Sequence, residues 1–232
     1  MSNLGFRILN HFNRAPKHLI ENFRDIPTPN IADCMNRSFC IDSKIRMINE
    51  KKGLQMLGSA LTVKTRTVDN LLVHKAIDIA QSGDIIVIAA EGDTHSAILG
   101  EIMAHMAEKK GVAGYLIDGC IRDSEAIQEM DFPVFAIGVS PKGPYKDGPG
   151  EINFPVSCGG VIINPGDIIV GDRDGVVVIP PSEAEMIYQE AKKVLEKETK
   201  ILEEIKKGNM GDRSWIDAKL NEKGCKLISQ YK

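Results

Sequence analysis

The chain reads as an α/β protein with a parallel core sheet, a second and largely antiparallel layer, and a long C-terminal helix. Three observations predict this. Apolar runs at 85–90, 112–117 and 133–137 alternate with amphipathic stretches of helical length, the order of a parallel sheet with right-handed crossovers. Residues 152–180 break instead into short apolar runs divided by Gly159-Gly160, Pro165-Gly166 and Asp174-Gly175, which are hairpin signals. Residues 181–207 then carry a stripe near the 3.6 period.

Taken in order, Thr28-Pro29 starts a short helix, with a hydroxyl cap and proline in the first turn. Ile31, Cys34 and Met35 point inward from it. A strand follows at 57–63. Asp69 caps the next helix, whose inner face is Leu71, Leu72, Ala76, Ile77 and Ala80. The run 85–90 is apolar throughout, as expected of a strand buried on both faces. A helix is expected within 96–110, with Leu99, Ile102, Met103 and Met106 as its stripe. The strand at 112–117 leads to a short helix near 123–130 and the strand 133–137. The segment 140–150, rich in Pro, Gly and Lys, reads as a long functional or interface loop. No linker or low-complexity segment interrupts the chain, so one domain over 1–232 is the simplest organisation.

Composition narrows the function classes. Twenty-nine basic residues against 32 acidic ones leave a net charge of -3, which gives no electrostatic case for nucleic acid. Five cysteines, an odd number with no CxxC pair, argue against a disulfide framework or a zinc site and for a reducing compartment. The N-terminal region has no long apolar run, so neither a secretory signal nor a membrane span is expected. The expectation is a cytoplasmic protein without a membrane partner.

The most informative stretch runs from Gly100-Glu101 to Arg122-Asp123. Twenty residues separate Glu101 from Arg122, enough for one helix and one strand that return the chain to the same mouth. Arginine grips a carboxylate through two parallel hydrogen bonds, and an adjacent aspartate can hold a divalent metal. The plainer alternative has Asp123 capping a short helix and Arg122 in a surface ion pair. Gly100 also has two readings. It opens a helix whose free N–H groups at Glu101, Ile102 and Met103 bind a carboxylate, or it allows close packing of helix on strand. Glu198 falls on the apolar stripe of the final helix, where a carboxylate is costly unless paired or used. It either enters a site shared with a neighbouring subunit or sits at the stripe's edge and reaches water. Asp172-Arg173-Asp174-Gly175 resembles the start of a calcium loop but lacks the terminal glutamate, so a hairpin turn is expected. The five histidines contain no HxH or HExxH pair, and no glycine-rich nucleotide fingerprint is present.

Several stretches together resemble the RraA-like family, which includes divalent-metal aldolases for 4-hydroxy-4-methyl-2-oxoglutarate and 4-carboxy-4-hydroxy-2-oxoadipate. They are Gly100-Glu101-Ile102-Met103, Gly111-Val112-Ala113-Gly114, Ile117-Asp118-Gly119-Cys120-Ile121-Arg122-Asp123, Gly159-Gly160-Val161, Pro165-Gly166-Asp167 and Gly171-Asp172-Arg173-Asp174-Gly175. The resemblance implies an αββα sandwich of the swivelling type, a homotrimer or homohexamer, and residues 181–232 as a helical extension reaching a neighbouring subunit. It implies that Arg122 holds the pyruvyl part of a 2-oxo acid, that Asp123 binds Mg2+ or Mn2+, and that Gly100 to Met103 form the substrate-carboxylate loop. Glu101 stands where the aldolases carry aspartate, and Glu198 matches a glutamate contributed by the adjacent subunit. Glu101, Asp123 and Glu198 would then form the acidic shell of the metal. The chain departs from the family at Ala126, where an acidic residue is common; Glu125 is one position earlier.

The implied activity is class II pyruvate-aldolase cleavage of a 4-hydroxy-2-oxo acid, with oxaloacetate decarboxylation as a companion because both pass through the enolate of pyruvate. The family also contains a non-catalytic regulator that binds a ribonuclease. That reading predicts a disrupted constellation, whereas Glu101, Arg122 and Asp123 are all present.

Overall fold

The structure, a computed structural model, describes residues 3–226 and 228. The chain divides into two compact units, Met1–Lys192 and Lys193–Lys232. Within the first unit, strand β1 (Phe6–Ile8), the short helices α1 (Lys17–Glu21) and α2 (Thr28–Cys34) and strand β2 (Arg46–Met47) precede the core. Helix α2 lies where the sequence places it, but its cap differs. Pro27 occupies the cap position, and the Thr28 hydroxyl donates instead to Asp172 Oδ1 at 2.7 Å.

The core is built from β3 (Met56–Thr65), β4 (Asp84–Leu99), β5 (Gly114–Ile121) and β6 (Val134–Ala136). They lie side by side in that order, all parallel. Helices α3 (Leu71–Ile79), α4 (Glu101–Lys109) and α5 (Ser124–Glu129) make the three crossovers. Side chains alternate across the sheet. Leu61, Val63, Ile86, Ile88, Tyr115 and Ile117 face the helices and pack on Leu72, Ala76, Met103 and Ala107. Ala60, Ile85, Val87, Leu116 and Phe135 face the other way, onto Val156, Cys158, Val161 and Ile163. Burial on both faces is why these strands read as unbroken apolar runs.

Past β7 (Gly138–Val139) and β8 (Gly150–Ile152), strands β9 (Val156–Cys158) and β10 (Val161–Ile163) form a separate antiparallel hairpin around Gly159-Gly160. Strands β11 (Ile168–Asp172) and β12 (Gly175–Ile179) form a second hairpin. It joins the large sheet antiparallel to β3. The Asp172-Arg173-Asp174-Gly175 segment is the tight turn of that hairpin, with Asp174 N–H donating to Asp172 Oδ1 at 2.9 Å. The architecture is thus the mixed α/β fold expected, with a mostly parallel sheet and an antiparallel second layer.

Helix α6 (Ala184–Lys206) begins in the first unit, where Ala184, Ile187 and Ala191 are buried against Phe23, Ile31 and Ile179. Its remainder belongs to the second unit, with Ile201, Leu202 and Ile205 exposed, followed by α7 (Ser214–Glu222). Among the described residues no helix is long and apolar enough to cross a membrane.

Two helical expectations need correction. Strand β4 runs to Leu99, and α4 starts at Glu101 rather than near 96. Of the predicted stripe, Met103 is buried while Ile102 and Met106 are exposed. On α3, Leu72, Ala76, Ile77 and Ala80 are buried as expected, but Leu71 is exposed and Val73 takes an inner place.

Candidate active site

Parallel neighbours end at the same edge of a sheet, and this assembles the site. Leu99 at the end of β4 pairs in register with Ile121 at the end of β5. Arg122 N–H then donates to Leu99 O at 3.0 Å. Gly100-Glu101 and Arg122-Asp123 therefore leave adjacent strand ends side by side, which is the physical meaning of their twenty-residue separation. Ligands of open α/β sheets gather at this carboxyl edge.

Gly100 is the cap residue that opens α4, and it also makes a close approach, to the site's own residues. A Cβ there would collide with Asp123 Oδ2 and lie 2.8 Å from Arg122 Cγ. Its backbone is extended, at φ -147°, so the requirement is for space. Asp123 sits in the left-handed region at φ 57°, ψ 42°, which costs a non-glycine residue roughly 1 kcal/mol. It occupies the cap position of α5, yet its side chain makes no cap bond. Its Oδ2 instead accepts from Glu101 N–H at 3.2 Å across the cleft. Arg122 Nε lies 3.6 Å from the same oxygen, with the two side chains 46% and 42% exposed. A pair this open is worth about 0–1 kcal/mol to stability.

Helix α4 presents its N-terminus here. Its first N–H is taken by Asp123, while those of Ile102 and Met103 have no acceptor within the helix. The helix is pinned by Tyr115, fully buried, whose hydroxyl donates to Met103 O at 3.2 Å. Burial pushes that hydroxyl's pKa well above its ordinary value, so it stays a donor. Glu101 extends its half-exposed carboxylate toward His105 Nε2, 3.8 Å away.

Gly100, Ile102, Met103, Arg122 and Asp123 line a cleft of about 220 Å³; the Glu101 side chain lies outside its lining, toward His105. A second hollow of about 370 Å³ adjoins on the far side of Arg122 and Asp123. The structure brings Gly100, Glu101, Ile102, Met103, Arg122 and Asp123 together. Glu198 lies in the second unit, exposed on α6.

Three further lining residues carry no signal in the sequence: Asn70, His74 and Lys146. Asn70 Nδ2 donates to Ile98 O at 2.8 Å and meets Met103 Sδ at 3.3 Å. Among the described residues its buried Oδ1 has no hydrogen-bond partner. Burial, followed by Lys146, pushes the His74 pKa below the usual imidazole range. Lys146 comes from the 140–150 loop that composition marks as functional.

Asp123 lines the cleft and Glu101 lies beside it. Among the described residues no cluster of three or more His, Cys, Asp or Glu stands ready to hold a metal. A sparse set of hard oxygens suits Mg2+ or Mn2+, which retain water and share ligands with substrate. It does not suit zinc, which takes nitrogen and sulfur ligands in a closed tetrahedron.

Known proteins resemble this chain in sequence and in fold. A family model described as "RraA-like: Aldolase/RraA" matches residues 28–178. A protein of Halalkalibacterium halodurans named "Putative 4-hydroxy-4-methyl-2-oxoglutarate aldolase" is 45% identical over 180 residues, covering 78% of this chain and 85% of the relative. A crystal structure from Pseudomonas syringae pv. tomato superposes with a TM-score of 0.76 at 26% identity, covering 85% of this chain and 96% of its own. RraAS2 of Streptomyces coelicolor, described as an unusual member of the RNase ES inhibitor RraA family, superposes with a TM-score of 0.71 at 25% identity, covering 82% and 98%. On the family model and the extent of these matches, the chain belongs to the RraA-like family.

Proposed function

We propose that the protein is a divalent-metal-dependent lyase that cleaves a 4-hydroxy-2-oxo acid, such as 4-hydroxy-4-methyl-2-oxoglutarate, to pyruvate and a second oxo acid. The observation that carries this reading is the convergence of Arg122, Asp123 and the open N-terminus of α4 on one cleft. The name of the Halalkalibacterium halodurans relative supports it.

In this mechanism Arg122 binds the 2-oxo acid moiety through its guanidinium fork. The N–H groups of Ile102 and Met103 hold the substrate carboxylate at the positive end of α4. Asp123, oriented by Glu101 N–H, would hold Mg2+ or Mn2+, with Glu101 and the Glu198 of a neighbouring copy in a homotrimer or homohexamer completing the acidic shell. When bound, the cation supplies Lewis-acid stabilisation of charge on the oxo oxygen. A carboxylate-held water acting as base would take the C4 hydroxyl proton as the C3–C4 bond breaks. The hydroxyl-bearing carbon leaves as a carbonyl, and the electron pair stays with pyruvate as its enolate. Arg122 faces the enolate oxygen, and preorganised charge of this kind contributes several kcal/mol to the rate. Protonation at C3 gives pyruvate. Oxaloacetate enters the same path by losing carbon dioxide.

The test is pyruvate release from a panel of 4-hydroxy-2-oxo acids and oxaloacetate, with and without chelator. Activity lost in chelator and restored by Mg2+ supports the proposal. Trapping of a substrate adduct by borohydride would point to a lysine Schiff base instead. The likeness to RraAS2 of Streptomyces coelicolor, a member of an RNase ES inhibitor family, favours a second reading, a non-catalytic regulator that binds a ribonuclease. Capture of a ribonuclease together with no cleavage across the panel would establish that alternative.

A further inference from the structure

The amino edge of the parallel strands carries a larger hollow, of about 550 Å³, which the lyase reading does not use. That volume falls in the range of small-ligand sites. Leu57 and Ser59 of β3 and Ala113, just ahead of β5, form its inner side. Helix α1 makes the facing wall through Lys17, Ile20, Glu21 and Arg24. Strand β5 has eight residues, so at the rise of a strand this hollow lies roughly 25 Å from the Arg122-Asp123 cleft. Helix α1 also precedes residues 28–178, where the family model matches, so that matched stretch alone does not build the site.

The charges around the hollow are unequal. Arg14, Lys17 and Arg24 line it against Glu21 and Asp84. Arg14 grips both oxygens of Asp84. Arg24 grips both oxygens of Glu21, at 2.7 and 2.9 Å. Those hydrogen bonds are the main cause that lowers the Glu21 pKa, and the Lys17 charge is the weakest. Lys17 is thus the cation left over, and among the described residues it has no ion pair within 4 Å. A second donor waits on the inner side. Ser59, 2% exposed, accepts from Ala15 N–H at 3.3 Å, and among the described residues its own O–H has no acceptor. Between these donors the surface is aliphatic, from Ala15, Ile20, Leu57 and Ala113.

Both walls are set in advance. The bond from Ala15 to Ser59 ties the chain ahead of α1 to β3. Behind α1, fully buried Phe23 meets Tyr188 edge to face, with ring centres 6.1 Å apart. Gln55 Nε2 donates to Phe23 O at 3.3 Å. A ligand therefore need not order the wall that carries Lys17, which lowers the cost of binding.

We infer that this hollow is a binding site for a small aliphatic monocarboxylate, separate from the cleft at the carboxyl edge and independent of the lyase reading. The Lys17 ammonium and the Ser59 hydroxyl take the carboxylate, and the hydrocarbon body lies on Ile20, Leu57 and Ala113. One surplus positive charge matches a monoanion. A phosphate monoester, close to doubly charged at neutral pH, would set its second charge beside Glu21 and Asp84.

The experiment titrates the full chain at neutral pH with hexanoate, hexyl phosphate and 1-hexanol, which share a six-carbon body. Calorimetry gives the affinities, and the methyl resonances of Ile20 and Leu57 report the place. Hexanoate is expected to bind at least tenfold more tightly than either of the others and to shift both resonances. Lys17→Met, at an exposed position, is expected to weaken hexanoate at least tenfold and to abolish its advantage over 1-hexanol; Ser59→Ala is expected to weaken it about threefold. Arg122→Ala is expected to leave hexanoate affinity unchanged, because that guanidinium lies at the other edge. No saturable binding of hexanoate, equal binding of hexanoate and 1-hexanol, or unmoved Ile20 and Leu57 resonances overturns the site. Affinity lost in Arg122→Ala but kept in Lys17→Met places the carboxylate in the cleft and also overturns it. Tighter binding of hexyl phosphate than of hexanoate overturns the monocarboxylate assignment.

Discussion

The parallel strands carry an arginine–aspartate pair at each end, and the two pairs are built for different work. At the amino edge, Arg14 Nε and Nη2 meet Asp84 Oδ1 and Oδ2 at 2.7 and 2.8 Å. Asp84 also accepts from Gln81 N–H at 2.8 Å. Its side chain is 1% exposed and that of Arg14 25%. Both oxygens are spoken for, and the pair closes the sheet's lower edge. At the carboxyl edge Arg122 stands off from Asp123 at 3.6 Å, both side chains nearly half open to solvent. Asp123 holds a left-handed backbone, and Gly100 clears space for it. The same two residue types make a saturated strut at one end and an open pair with spare hydrogen-bonding capacity at the other. Under the proposed lyase reading, spare hydrogen-bonding capacity held in place at a local backbone cost suits the carboxyl edge to ligand binding.

Substituting the two arginines should break this comparison most visibly. Arg122→Ala is expected to reduce pyruvate release by about 10²–10³-fold, the cost of removing one preorganised donor, with the melting temperature little changed. Arg14→Ala is expected to do the reverse. It strands the buried Asp84 carboxylate and should cost about 3 kcal/mol of stability, read by denaturant unfolding, with activity per folded molecule retained.

Gly100→Ala sharpens the same contrast. The added methyl meets Asp123 Oδ2 and Arg122 Cγ, so it should displace the receptor while sparing the sheet. A misplacement of about 1 Å costs about 10²-fold in rate, and the unfolding midpoint should hardly move. Loss of stability without loss of rate would assign Gly100 to packing alone.

The smallest effect is a pH-dependent one, at Asp118 on β5. Burial first, then the charge of Asp42, raises its pKa, while a hydrogen bond from Gly159 opposes the rise. A carboxyl with a raised folded pKa contributes full stability below its unfolded pKa of about 3.9 and loses it as pH climbs through the folded value. Asp118→Asn, which keeps an acceptor for Gly159, should therefore raise the melting temperature near neutral pH and leave it unchanged in acid. Equal shifts at both pH values would contradict the assignment.

Much of the core is legible in the sequence because burial on both faces writes itself as unbroken apolar runs: 85–90 lies inside β4, and 133–137 frames β6. The error at 96–100 has a physical source. Ala97, Ile98 and Leu99 are buried and lie at positions a helical stripe also allows, but pairing with β5 at Cys120 and Ile121 draws them into the sheet. Register shifts between Ala89 and Leu99, with Glu91 and Gly92 at positive φ, let β4 continue past a polar stretch that reads as its end. Ile102 and Met106 follow the helical period yet face outward, because α4 turns its start toward the cleft and buries Met103, Ala104 and Ala107.

The site is legible where it is local. Gly100-Glu101 and Arg122-Asp123 each sit just past a strand, and parallel pairing does the rest. Lys146 and His74 are illegible because their meeting depends on Asp69, whose hydrogen bonds reach from the start of α3 to Asp147 and Gly148. No spacing rule connects residues 69 and 147. Asp69 is expected at the helix start, where it does accept from Leu71 N–H. The composition of 140–150 marks the loop without indicating what it faces.

The most direct measurement is Mg2+-dependent pyruvate release by Asp123→Asn beside the native protein, with both melting temperatures recorded. Asparagine keeps the shape and an acceptor for Glu101 N–H but removes the charge. The account predicts release at background with an unchanged melting temperature; release within threefold of native would contradict it.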